Sequence, residues 1–453
     1  MMSHPLTRRS LIRSMVSGSI LMPGILSQML AEGATAPSAA GPLVPKTPHY
    51  GPKAKRVIFV FATGGVSHVD TFDPKPSTNG RDGTGNDKLM GCVFPYSANP
   101  RCGTEVSDLF PYLREQMDDI CVIRSMKSAH FDHTEAAVGM HTGSATFTRP
   151  SMGSWLSYGL GTFNQNLPSF IVIAPQLPYG GTQVYASDFL PAYHQGTRVI
   201  PGEKPIENLT PRTPQRKVQE LELGLADAFN RGHLKSRADD SQLAARIKAF
   251  ETAFQMQTAG PEAFDVSAED DATLAMYGLK RGENTSFAWQ CLVARRLAER
   301  GVRFIELVDS GSRPNWDSHG DMNEHKPLAK AADQPLAALI QDLKRRGLFD
   351  ETLVVWATEF GRTPTREGKM GRGHHGDGFS VWLAGAGIKG GIVHGGTDDI
   401  GRSIARDKVD VHDLHATILH LMGIDHTRLT YRHAGRDFRL TDVHGRVIQP
   451  ILA

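Results

Sequence analysis

Residues 56–65 read Arg56-Val57-Ile58-Phe59-Val60-Phe61-Ala62-Thr63-Gly64-Gly65, a short apolar run that stops at paired glycines. A continuous β-branched and aromatic run of this length, without polar alternation, is the pattern of a strand buried on both faces, as in a parallel sheet. Further strands are expected downstream at Ile120–Arg124, Ser169–Ile173, Val302–Val308, Thr352–Thr358 and Phe379–Leu383. Helices are expected between them, at about Ser107–Gln116, Thr285–Arg300, Pro327–Arg346 and Asp410–Met422. Alternation at this spacing predicts an α/β fold whose mostly parallel sheet is covered on both faces. Residues 75–104, rich in Gly, Asn, Pro and Ser, read as a surface insertion. Between about 205 and 280 the polar helices Pro214–Asn230 and Ser241–Gln257 read as a helical insertion or cap.

The 453 residues carry 50 Lys+Arg against 48 Asp+Glu. Arg8, Arg9 and Arg13 against Glu32 account for the whole excess, so the rest of the chain is neutral. That balance disfavours a nucleic-acid binder. The same arginines, in Thr7-Arg-Arg-Ser-Leu-Ile-Arg13, precede an apolar run to Leu30 and small residues to Ala40. This is the layout of a secretory signal, and its paired arginines resemble the twin-arginine motif. Residues 1–40 are therefore expected to be an export signal, 41–55 a Pro-rich linker and 56–450 the folded domain, outside the cytoplasm and with no membrane span once the signal is removed. Of four cysteines, Cys92 and Cys102 are placed either to form a local disulfide or to stay free, and Cys121 and Cys291 read as core.

Histidines and acids gather where expected strands give way to loops, the edge at which open parallel sheets bind ligands. His68 and Asp70 follow the first strand. His130-Phe-Asp-His133-Thr134-Glu135 opens a helix, and a helix start suits an oxyanion. Asp317-Ser-His319-Gly-Asp321 follows Val302–Val308 at a spacing that lets Asp and His share a metal. Glu359 leaves the run Leu353–Ala357, a costly place for a charge unless it is paired or metal-bound. The Gly-rich loop carrying His374 and His375 comes next. Turn and capping roles fit each cluster alone; four at strand exits are the signal. Phosphate-loop, H-E-x-x-H and G-x-S-x-G motifs are absent, and His412, His415 and His420 read as helix packing residues.

The order of G-G-x-S-H-x-D-T-F-D-P-K, W-D-x-H, T-E-F-G-R-T-P and a Gly-His loop resembles an exported bacterial family, domain of unknown function 1501, over roughly residues 50–450. That family is similar to the alkaline phosphatase and sulfatase superfamily, which hydrolyses phosphate or sulfate esters with one or two metal ions. The resemblance implies a three-layer α/β/α sandwich, alkaline phosphatase-like. It places His133 at the nucleophile position with Thr134 next to it, Asp317 with His319 or Asp321 as a metal motif, Glu359 at a ligand Asp, and His375 at the last metal-binding His. In this chain Gly64 or Gly65 stands where a ligand Asp is expected, and Phe360 where a His or Asn is. No C-x-P-S-R or S-x-P-S-R string occurs, which argues against a formylglycine mechanism.

The expectation is a metal-dependent hydrolase of an anionic phosphate or sulfate ester. Asp317, His319, Glu359, His374 and His375 would hold the metal, with Asp70 and His68 as further ligands. Thr134 would be the nucleophile, or His133 a base or ligand, and Arg362 would clamp the anion. Mixed nitrogen and carboxylate donors favour zinc or manganese, with calcium as the alternative. The rival expectation is an exported binding protein that holds a sulfated or phosphorylated polymer in a degenerate site.

Overall fold

The computed structural model describes residues 43–207, 209, 215–235, 237, 241–309 and 315–453. The expected export signal and the first two linker residues lie outside them. The described residues between 215 and 251 belong to one compact unit, and those of 43–209 and 252–453 form the other. The helix Arg216–Lys235 lies in the first. The candidate site lies in the second.

The larger unit is built on a nine-stranded sheet. Its strands, with a hairpin at its edge, are β1 (Arg56–Ala62), β2 (Ile120–Lys127), β3 (Phe170–Ile173), β4 (Thr197–Val199), β5 (Phe304–Asp309), β6 (Thr352–Ala357), the hairpin β7 (Gly361–Glu367) and β8 (Gly371–His375), β9 (Phe379–Ala384), β10 (Ile392–His394) and β11 (Val409–Asp410). The order is β10-β2-β9-β6-β1-β5-β3-β4, with β11 also on β2. All pairings are parallel except those of β9, which runs against both β6 and β2.

Alternate side chains of β1 enter two separate cores. Ile58, Val60 and Ala62 pack on one face, Val57, Phe59 and Phe61 on the other. Trp289, Leu292 and Val293 of the helix Phe287–Glu299 and Leu336, Leu339 and Leu343 of the helix His325–Arg345 cover the first face. The second is covered by α1 (His133–Thr142), α2 (Met152–Leu160) and α3 (Val411–Leu421). The result is the expected three-layer α/β/α arrangement, and each fully buried Val, Ile or Phe of β1 contributes roughly 1.5–3 kcal/mol.

Several expectations need correction. In place of a helix from Ser107, Glu105–Ser107 pairs with Tyr96–Ala98 as a short ribbon, and only Pro111–Arg114 is helical. The Gly-His loop is instead the antiparallel hairpin β7/β8. Helix α2 went unforeseen because its Gly153 and Gly159 argue against a helix; Gly153 sits where a Cβ would fall 2.6 Å from the Phe170 ring. The C-terminal part of the 205–280 segment belongs to the core, where Met256, Phe264, Leu274 and Tyr277 are buried. Cys121 and Cys291 are buried as expected, and all four cysteines are free thiols. No helix among the described residues is long and apolar enough to cross a membrane.

Candidate metal centre

The carboxyl ends of β1, β5 and β6, the hairpin β7/β8 and the N-terminus of α1 meet at one edge of the sheet. Gly64 lets them approach closely. A Cβ there would fall 2.6 Å from the Asp317 backbone nitrogen, and the residue has φ +108°, so only glycine fits without strain. Trp316 N–H bonds Thr63 O, which brings the Asp317 loop across the end of β1.

Asp317 Oδ1 is the focus of three imidazoles. His319 Nε2 is 3.0 Å away, His133 Nε2 3.2 Å and His374 Nε2 3.4 Å. Each ring presents its other nitrogen to an oxygen: His133 Nδ1 to Glu359 Oε1 at 2.8 Å, His319 Nδ1 to Glu367 Oε1 at 3.0 Å, and His374 Nδ1 to the Phe131 carbonyl at 2.7 Å. A carbonyl or carboxylate only accepts, so each Nδ1 carries the proton and each Nε2 of a neutral ring turns a lone pair inward. The Nε2 atoms of His319 and His374 are 2.9 Å apart, a separation that either a shared proton or a bound cation makes attractive. His133 Nε2 is buried without a well-aligned hydrogen bond. His133, Asp317 and His374 offer donor atoms all within 4.8 Å of one another. Outer oxygens fixing the tautomer of inward-facing histidines are the usual second layer of a metal site. The residues present therefore fit a divalent ion bound by nitrogen and one carboxylate.

Electrostatics agree with that reading. Burial opposes charge on Asp317, yet the facing His133 and His374 rings and the Arg362 guanidinium hold its carboxyl well below the usual range. Burial lowers His133, but the Asp317 and Glu359 carboxylates outweigh it and raise the ring to about 9. Without metal, a proton on His133 therefore occupies the place a cation would take.

The other expected site residues fall in different surroundings. Glu359, fully buried, accepts from Gly64 N at 2.7 Å, from His133 and from Thr358 Oγ1. Three donors thus occupy its two oxygens, and the His133 ring lies between it and Asp317. Thr134 is exposed and makes none of the cluster's contacts; its N–H bonds the Asp132 cap. Arg362, also fully buried, donates to Gly65 O, Arg372 O, Gly64 O and Asp317. It braces the glycine turn and leaves no two-pronged fork for an anion. Asp70 is buried against Arg372 at 2.6 Å and accepts from Val93 N. His68 bonds Gly401 O and stacks on His375, with ring centroids 5.8 Å apart. His374 and His375 are adjacent in β8 and face opposite ways, so only the first joins Asp317.

Two contributors carried no sequence signal, and a third was marked only as a departure from the resembled pattern. Glu367 holds His319, and finding it required the hairpin. Tyr179 stacks on His133 at 4.2 Å with rings 13° apart. Phe360, the departure from the expected ligand, is a buried wedge touching His133 at 4.8 Å and His374 at 4.7 Å.

A family model described as Protein of unknown function (DUF1501) matches residues 54–452. No curated protein matches the chain. Solved structures with a likeness include lipoteichoic acid synthase LtaP from Listeria monocytogenes, 11% identical, covering 88% of this chain and 78% of that one with a TM-score of 0.38. The alkaline phosphatase from the Antarctic bacterium TAB5 is 13% identical, covering 82% and 98% with a TM-score of 0.33. PsFucS1 sulfatase from Pseudoalteromonas sp. is 11% identical, covering 90% and 72% with a TM-score of 0.35.

Proposed function

The chain belongs to the DUF1501 family, and from that premise we propose that it is a metal-dependent hydrolase of phosphate or sulfate esters. The observation that carries the reading is the convergence of three histidine Nε2 atoms within 3.0–3.4 Å of one Asp317 oxygen, with every Nδ1 tied to an outer oxygen. His133, Asp317, His319 and His374 are the proposed ligands. Glu359, Glu367 and the Phe131 carbonyl hold the rings in the binding tautomer. Three imidazoles and one carboxylate favour zinc or manganese over calcium, which takes six to eight oxygens.

An ion held by these residues would supply Lewis-acid polarisation of an ester oxygen and activation of a nucleophile. The chain itself contributes a fixed cage, since Tyr179 and Phe360 clamp the His133 ring and Arg362 braces the loop under Asp317. In this reading water is the attacking oxygen, since Thr134 makes none of the cage's contacts and His133 serves as a ligand. The N-terminal arginine motif and the apolar run behind it support action outside the cytoplasm.

The test is the metal content of the purified chain followed by turnover on nitrophenyl phosphate, bis-nitrophenyl phosphate and nitrophenyl sulfate. Asp317→Asn is expected to lower both metal content and turnover, the latter by about 100-fold. Bound metal without turnover on any ester would favour the rival binding protein. Turnover indifferent to Asp317→Asn would remove the site assignment.

A further inference from the structure

Beneath the metal cage lies a second histidine–carboxylate pair that the reaction does not use. Glu306, in the middle of β5 and fully buried, meets His141 Nε2 at 3.0 Å. His141 Nδ1 bonds the Ala137 carbonyl at 2.7 Å. Both ring nitrogens therefore face acceptors, the arrangement of an imidazolium. Phe59 and Phe61 present their rings to it at 5.6 and 4.5 Å. An ion pair in an apolar core is seldom retained for stability alone, because desolvating two charges offsets most of their attraction.

The spacing of the two pairs is informative. His133 and His141 are eight residues apart on α1, about 12 Å along a helix. Their carboxylates sit at matching heights on the sheet. Glu306 is level with Phe59 of β1, and Glu359 lies two residues past Ala357, which is level with Phe61. That offset of four strand residues is about 13 Å. One carboxylate within the sheet and one just past a strand end thus receive two helix imidazoles at matching spacing, with the small Ala137 between them on that face. The far end of α1 is also held by hydrogen bonds: His415 Nε2 donates to Met140 O and His412 Nε2 to Gly143 O, both at 2.7 Å.

We propose that Glu306 is a positioning residue for the metal centre: through His141 it sets the height of α1 on the sheet, and so the placement of His133 at Asp317. This rests on the metal reading above. A buried charged pair has one favourable separation, whereas an apolar face tolerates sliding. The pair therefore fixes the helix along its axis, where Ala137 cannot.

The experiment compares the full chain with Glu306→Gln, measuring metal affinity by competition with a chelator and the visible spectrum of the cobalt-loaded form. The expected result is affinity weakened about tenfold with a changed cobalt spectrum, at a temperature where the variant remains folded. Leu339→Ala, in the opposite core, serves as a control expected to lower Tm while leaving affinity and spectrum as in the wild type. If Glu306→Gln does not fold, His141→Gln reads the same quantity. Wild-type affinity and spectrum in the folded variant overturn the proposal, as does an equal weakening in Leu339→Ala. A wild-type chain that binds no metal sinks the metal reading and this inference with it.

Discussion

His133 sits between two carboxylates that raise its ring to about 9 from an ordinary 6.5, and that single residue makes the site sensitive to pH. A raised folded-state pKa means the protonated ring stabilises the metal-free chain fully below about 6.5, and that this contribution is lost as pH rises through about 9. Metal binding runs the other way, because the ion must displace the proton from Nε2. Affinity is therefore expected to rise about tenfold per pH unit between 6.5 and 9 and then level off. Competition titrations in buffered chelator across that range check it, and a flat profile would take His133 out of the ligand set. At this scale the sequence was only partly legible. His133, Asp317, His319 and His374 were all singled out by their place after strands, but Glu359 was read as a ligand because its burial implied a partner. The partners turned out to be the Gly64 N–H and the His133 ring, which no spacing along the chain reveals.

Helix α1 is the element that carries chemistry to the sheet. Its start is set by Asp132, whose side chain accepts from Thr134 N, and its end by Gly143 in the left-handed region. Both signals are visible in the sequence as a cap residue before the first turn and a glycine after the last. Asp132→Ala is expected to cost about 1 kcal/mol in a denaturant melt and to weaken metal binding as well, since the frayed turn would include His133. A loss of stability with metal affinity unchanged would show that Glu359 alone orients the ring. The hairpin β7/β8 was less legible. Its glycines and polar residues match a loop, yet Gly361 pairs with His375 and Arg362 with His374. Pairing between neighbours, and not propensity, makes it a ribbon.

Across the whole molecule, the proposed ligands, from residues 133 to 374, meet at one edge of the sheet, so an ion there would link segments that are far apart in the chain. Zinc or manganese at 100 times its dissociation constant is expected to add about 2.7 kcal/mol to stability, read as a saturable rise in Tm that a chelator reverses. No rise with either metal would count against a resident ion. The sequence by itself determined the layered sheet, because runs such as Val57–Ala62 have no polar face and must be covered on both sides. It also pointed to the edge where the candidate residues gather, because the polar residues follow those runs. Tertiary structure decided that His374 and not His375 turns toward Asp317, that Glu359 stands behind His133, and that Arg362 is spent on backbone carbonyls and Asp317. The physical reason is that local sequence sets periodicity and burial, whereas a hydrogen-bond partner is chosen by whichever distant segment the packed core brings within about 3 Å.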